Sequence, residues 1–385
     1  MAEKSTVRND TMRISNLTVI KGEKRVRVTA TVNWEDCDQP AREVFIETEK
    51  EFGDDISCNP HAFLVGCIIP AMHFGEKRIL LNAEICPSLR EGLQTVMSLM
   101  KEWSHGEYKP LHIEAKIHSA SPYLHKQRRA GLFLSGGIDS LAALRANKQN
   151  YPEEHPGSIK DCLLVHGFDI GGVIERGMKY HVFDRARAAL SAVAQDANVT
   201  LIPVYTNIRH LCDERDLWLD KFFGAVLASV GHAFASRLHL VYIASSYDIP
   251  NLVPCGSHPL LDPEYSSFDV RIKLLGLSLS RLEKLRLVAD WDVAFQNFRV
   301  CLANVNDRLN CGKCEKCVRT MTELVAIGSL DKTHAFAEND VFPELFSQFK
   351  INIRHRAPFY HEMLPLLKER GRDDLVRTIT RMLQD

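Results

Sequence analysis

A short apolar run, a glycine pair and a helix start follow one another at residues 131–149. Gly131-Leu132-Phe133-Leu134 reads as a buried strand, Ser135-Gly136-Gly137-Ile138-Asp139-Ser140 as a turn, and Leu141 to Gln149 as a helix. Two adjacent glycines admit backbone angles that other residues resist, so successive amides can point into one concavity and collect an anion. The helix adds its positive N-terminal end. Ser135 and Ser140 supply hydroxyls. Asp139 is out of place beside an anion unless a cation comes with it, and Mg²⁺ reconciles its carboxylate with phosphate oxygens. The plainer reading is a Gly-Gly turn with an Asp or Ser cap. Strand, turn and helix nevertheless fall where a phosphate loop needs them. No Gly-Lys-Ser/Thr follows, so this is not a Walker A loop, and the spacing is not that of a dinucleotide fingerprint.

The same alternation continues. Cys162 to His166 is followed by a helix over Asp184 to Asp196, Thr200 to Tyr205 by a helix over Leu217 to Arg237, and Leu238 to Ile243 closes the series. Near-continuous apolar strands between helices predict a parallel sheet flanked by helices, an α/β fold. A different texture precedes it. Arg25 to Val32 and Val44 to Thr48 alternate as strands, His61 to Met72 is apolar on a helical period, and Arg78 to Asn82 is a short strand. Ser88 to Trp103 reads as a helix with Ser88 as N-cap and Glu91 completing a capping box. Residues 1–125 are therefore expected to form an accessory α+β domain, and the basic joint Lys126-Gln127-Arg128-Arg129 opens the α/β domain at 126–330. Residues 331–385 read as a charged helical extension. Its surface helices fall at Glu344 to Lys350 and His361 to Arg370, started or broken by Pro358 and Pro365.

A second local pattern is chemical. Cys311-Gly312-Lys313-Cys314-Glu315-Lys316-Cys317 spaces three thiols two residues apart, with Cys301 ten residues earlier. Four thiolates suit a closed tetrahedral zinc site that stabilises fold, and an iron–sulfur cluster is the rival. Lys313, Lys316 and Arg319 stand where they would soften the charge of such a site. The remaining seven of the 11 cysteines, Cys255 among them, are scattered and read as buried free thiols.

Lys plus Arg (48) nearly balances Asp plus Glu (49), so no global basic excess recruits nucleic acid or an anionic membrane. No apolar run is long enough to span a bilayer. The first residues lack the apolar core of a signal peptide, and a cytoplasmic location is expected.

Ser135-Gly136-Gly137-Ile138-Asp139-Ser140 matches the SGGxDS signature of the PP-loop ATP pyrophosphatases at every defining position, and the segment resembles that superfamily. The resemblance implies an enzyme that splits ATP to AMP and pyrophosphate and adenylates its substrate. It implies that Ser135, Gly136, Gly137, Ile138, Asp139 and Ser140 hold pyrophosphate and magnesium. It further implies that Gly167 and Phe168 bed the adenine and that Ser245 and Ser246 approach ATP or acceptor; these placements follow strand ends, where α/β sheets gather ligands. Lys284 is a candidate for the phosphates, with a solvated charged face, shared with Arg281 and Glu283, as the alternative. In the Pro-rich loop after the last strand, His258 and Asp262 are candidates to orient a base or a carboxylate, with an Asx-type surface turn as the alternative.

Loop and cysteines together resemble the 7-cyano-7-deazaguanine synthases (QueC) over about residues 130–325. That family binds structural zinc through its four cysteines, adenylates 7-carboxy-7-deazaguanine, forms an amide with ammonia and dehydrates it to a nitrile. The added segments on either side resemble extended QueC-like proteins of anti-phage operons such as type IV CBASS. There the implied acceptor is a protein amine and no nitrile forms. The expectation is an ATP-dependent carbon–nitrogen ligase acting on a deazaguanine-type carboxylate, with ATP, Mg²⁺ and Zn²⁺ as cofactors. The alternatives are a nitrile-forming synthase, a tRNA-modifying PP-loop enzyme, and a non-enzymatic zinc module.

Overall fold

The computed structural model describes residues 11–35, 37, 39–118, 129–171, 177–351 and 353–384. Its strands are β1 Thr11–Lys21, β2 Arg25–Trp34, β3 Arg42–Glu49, β4 Arg78–Ile85, β5 His112–Ile117, β6 Arg129–Phe133, β7 Ile159–His166, β8 Thr200–Thr206, β9 Leu238–Ala244 and β10 Arg271–Leu275. Its helices are α1 Pro60–His73, α2 Pro87–Trp103, α3 Ile138–Asn150, α4 Tyr180–Asp196, α5 Arg215–Leu217, α6 Phe223–Ala233, α7 Arg281–Ala289, α8 Asp292–Asn297, α9 Glu315–Ile327, α10 Ile353–Glu369 and α11 Asp373–Met382. The fold is α/β, with a ten-stranded, mostly parallel sheet flanked by helices and ordered β10-β9-β6-β7-β8-β3-β2-β1-β4-β5. The chain leaves β6 through α3 and α4 to β7 and β8 on one side, and later places β9 on the other. The turn after β6 thus lies where strand order reverses, the position at which α/β sheets take their ligands.

The chain forms two compact units. Unit 1 comprises residues 1–130, 204–242 and 254–274; unit 2 comprises 131–203, 243–253 and 275–385. The expected accessory segment therefore belongs to a unit that also contains two later stretches of chain. Of the basic joint, only Arg129 lies within the described residues.

In unit 1, β1 pairs antiparallel with β2 and parallel with β4, β2 pairs antiparallel with β3, β4 pairs parallel with β5, and β3 pairs antiparallel with Val204–Thr206. The inward residues Val26, Val28, Ala30 and Val32 are all buried, as the alternation of β2 requires. β1 and β5 add two strands the pattern did not mark. Helix α2 begins at Pro87 with Cys86 as N-cap, so Ser88 caps nothing. Proline at the first helical position needs no donor and has its φ preset. The expected helix from Leu217 divides into α5, a π-helical turn at Trp218–Phe222, and α6. A Cβ on Gly224 would lie 2.2 Å from the Gly256 carbonyl, whose loop passes against the helix there.

In unit 2, α3 packs on α7, and α10 packs on α9 and α7. Pro358 and Pro365 lie inside α10 instead of breaking it. Packing carries the helix through both: Phe359, Tyr360, Met363 and Leu367 are buried, each contributing about 1.5–3 kcal/mol. Glu344 to Lys350 is a 3₁₀ segment, Pro343–Gln348, with Phe346 buried. The C-terminal extension is therefore part of the core of unit 2.

Candidate functional site

Unit 2 builds its site on the turn between β6 and α3. Gly136 has φ +79, in the left-handed region, and a Cβ there would press to 3.2 Å from Leu190. Gly137, extended, caps α3. Leu141 N donates to Gly137 O at 3.0 Å. The amides of Ile138, Asp139 and Ser140 thus form the first turn of α3, where helices lack internal acceptors. Ser140 Oγ donates to Gly137 O at 3.0 Å and lies 3.4 Å from Ser135 Oγ. Ser135 itself is exposed. The first amides of α3 and the hydroxyls of Ser135 and Ser140 therefore gather at a positive helix end.

Asp139 faces cations brought from α7. Arg281 Nη1 lies 3.3 Å and Lys284 Nζ 3.8 Å from Asp139 Oδ1. Burial works to raise this carboxyl, but Arg281, then Lys284, Arg319 and Lys316 outweigh it and hold Asp139 below the usual carboxylate range. It stays ionised and 26% exposed, and among the described residues Oδ2 makes no hydrogen bond. That oxygen is suited to meet a cation. Lys284 is 1% exposed and donates to Ser245 O at 2.6 Å, so it is not on a solvated face. Arg281 is equally anchored: its Nε lies 3.1 Å from Glu323 Oε2. Glu323 also receives Arg319 Nη1 at 2.9 Å, and Arg319 Nε reaches Glu315 Oε1 at 2.9 Å. Glu283 completes a capping box with Ser280.

Lys316 differs from these. Half-buried on α9, it makes no hydrogen bond or ion pair among the described residues. Its ammonium is pulled down to about 8, first by burial and then by Arg356, against the opposing pull of Asp169. It also acts on Asp139. A cation in this state is stabilised by an arriving anion. The sequence reading placed Lys316 with the thiols, because its neighbours in the chain are cysteines; its electrostatic neighbours come from α3 and α10.

The four expected thiols converge. Cys301, Cys311, Cys314 and Cys317 have all sulfurs within 4.8 Å of one another. Cys311 and Cys317 stand 3.8 Å apart, and Cys314 and Cys301 stand 4.0 Å apart. One tetrahedral ion with bonds of about 2.3 Å sets sulfurs about 3.8 Å apart, so the spacing fits a single zinc. A cluster, with each thiolate on a different iron, would spread them further. Gly312 has φ +73, and a Cβ there would run into the Glu338 carboxylate. Backbone amides of Ala303, Lys313 and Cys314 point at the sulfurs at 3.3, 3.4 and 3.3 Å.

Arg299 joins the two features. Its backbone N donates to Gly136 O at 2.8 Å, and its Nη2 donates to Asn304 Oδ1 at 2.5 Å. Burial lowers its guanidinium, while Cys301 and the Asp169 carboxylate oppose that. Asn304 Nδ2 in turn donates to Asp169 O at 2.9 Å. The cysteine knuckle thus braces both the glycine turn at residues 135–140 and the end of β7. There Gly167 has φ +111 and Phe168 is buried in the core.

Ser245 lies beside this network, its carbonyl held by Lys284 and its Oγ donating to Tyr247 O at 2.7 Å; Ser246 is exposed. Tyr247 stacks on Phe359 at 5.6 Å. His258 and Asp262 belong to unit 1. Asp262 is fully buried and accepts from Ser257 Oγ at 2.5 Å and His258 N at 3.2 Å, with burial pushing its carboxyl up to about 7. His258 meets Trp103 edge-on at 5.1 Å. Cys255 is a buried free thiol.

No protein-family model, curated protein or solved structure matches this chain.

Proposed function

We propose that this chain is an ATP-dependent ligase that adenylates a carboxylate and passes the acyl group to an amine. One observation carries the reading: a glycine turn at the start of α3 with an ionised, partly open Asp139 faced by Arg281 and Lys284 from α7. In this reading the amides of residues 136–140 would receive the ATP phosphates, and the Asp139 carboxylate would hold Mg²⁺, which supplies charge neutralisation to the leaving pyrophosphate. The substrate carboxylate attacks the α phosphorus, and pyrophosphate leaves under the field of Lys316 and the helix end. Arg281 and Lys284 keep Asp139 ionised and placed. Positioning and electrostatics supply the catalysis, and no side chain becomes covalently attached. The cysteine knuckle fits zinc, which would fix fold without entering the chemistry.

The substrate in this reading is 7-carboxy-7-deazaguanine, and the acceptor is a protein amine, as in anti-phage deazaguanine attachment. The resemblance of loop plus cysteines supports the first. The size of the chain beyond the loop and knuckle supports the second. The test is incubation with ATP, Mg²⁺ and 7-carboxy-7-deazaguanine, with AMP, pyrophosphate and partner-protein mass as readouts. Release of AMP and pyrophosphate only when the carboxylate is present supports adenylation, and a mass gain on the partner supports ligation. Release of ADP, or no nucleotide turnover, defeats it.

A further inference from the structure

Unit 1 carries a second group of ligand-type side chains. One ring nitrogen of His73, the sulfur of Cys212 and a carboxylate oxygen of Glu214 all lie within 4.8 Å of one another. His73 is the last residue of α1. The helix end is pinned by Phe74 N donating to Pro70 O at 3.0 Å and by the Phe74 ring meeting Trp34 edge-on at 4.9 Å. Cys212 and Glu214 flank Asp213, which receives Arg209 Nε at 2.6 Å; the Arg209 guanidinium lies 4.3 Å over Trp218. Cys212 N donates to Arg209 O at 3.0 Å, and Trp218 N donates to Glu214 O at 2.8 Å. Three donors therefore come from two fixed points of the backbone.

The histidine is also oriented. His73 Nδ1 lies 2.7 Å from Tyr108 Oη, and Nε2 lies 3.3 Å from Glu214 Oε1. With Nδ1–H donating to Tyr108, the lone pair of Nε2 faces the trio. A hydrogen bond on one ring nitrogen that selects the other as ligand is usual for metal-bound histidine. A tetrahedral ion with bonds of about 2.0–2.3 Å sets its ligand atoms about 3.3–3.8 Å apart. The His73–Glu214 pair already has that spacing at 3.3 Å, and the Cys212 sulfur lies within 4.8 Å of both. Cys212 is buried, while Glu214 is 68% exposed, so the trio opens to water on the glutamate side. Three protein ligands and one open position mark a site unlike the closed four-thiolate knuckle, and a nitrogen, sulfur and oxygen set suits zinc.

We propose that His73, Cys212 and Glu214 form a second zinc site, with water as fourth ligand and Tyr108 as the positioning residue for the imidazole. The full chain, equilibrated against a zinc buffer that keeps free zinc low, is weighed intact under native conditions. Cys212→Ser and His73→Gln should each hold one zinc ion fewer per chain than the wild type. Cobalt-loaded wild type should show a sulfur-to-cobalt band that Cys212→Ser weakens, and Tyr108→Phe should lower zinc affinity about 10–100-fold. A zinc count unchanged by both substitutions overturns the proposal. So does a wild-type chain whose metal is fully accounted for by the four-cysteine site, a result that stands even where a variant does not fold.

Discussion

Asp139 and Lys316 decide what the loop can do. Asp139→Asn keeps the shape and removes the charge that would hold Mg²⁺. Steady-state AMP formation should fall on the order of 10²-fold or more, and the melting temperature should also fall, because Arg281 and Lys284 lose the carboxylate that faces them. Lys316 predicts a pH dependence. Burial pulls its ammonium down to about 8, so the charge that would attract phosphate in the proposed reading is present below that pH. Calorimetric ATP affinity should therefore fall as pH rises through about 8, and Lys316→Met should flatten the fall. Stability moves the other way. The folded value lies below the ordinary 10.5, so between the two the unfolded chain keeps a proton that the folded chain has lost. The Lys316 contribution to stability therefore rises with pH across that window. Ser135 to Ser140 and the cysteines were legible because adjacent residues define their chemistry. Arg281 and Lys316 were not, because Arg281 reaches Asp139, and the charge of Lys316 acts on it, only after helices far apart in the chain have packed.

The knuckle and the loop behave as one device at the scale of elements. Arg299 takes its backbone from the cysteine segment to Gly136 O, so an ion that fixes Cys301 also fixes the loop. Chelation, or Cys311→Ser, should lower the melting temperature of the protein and abolish pyrophosphate release together, although no cysteine enters the proposed chemistry. A variant with intact turnover and no metal would separate the two. The strands that alternated or ran apolar were readable from their own residues. β1 carries Arg13, Ser15 and Asn16 among its apolar positions, and β5 is a six-residue strand with one buried residue. Their pairing with β2 and β4 defines them, and no local pattern announces it.

For the whole molecule, the extension at 331–385 reads as a charged tail, because its buried residues are diluted among charges. In the structure it seats Phe346, Tyr360, Met363, Leu367, Leu375 and Ile379 in the core, and Tyr360 Oη donates to Glu315 at 3.2 Å. A chain ending at residue 330 should be insoluble or should lose cooperative unfolding by calorimetry, whereas a dispensable tail would leave both unchanged. The central claim concerns bond chemistry, and oxygen tracing reaches it most directly. With the substrate carboxylate labelled with oxygen-18, a single turnover should leave one labelled oxygen in AMP, transferred when the acyl adenylate is broken by the amine. Label in inorganic phosphate, or label retained wholly in the product, would contradict adenylation at the loop of Ser135 to Ser140.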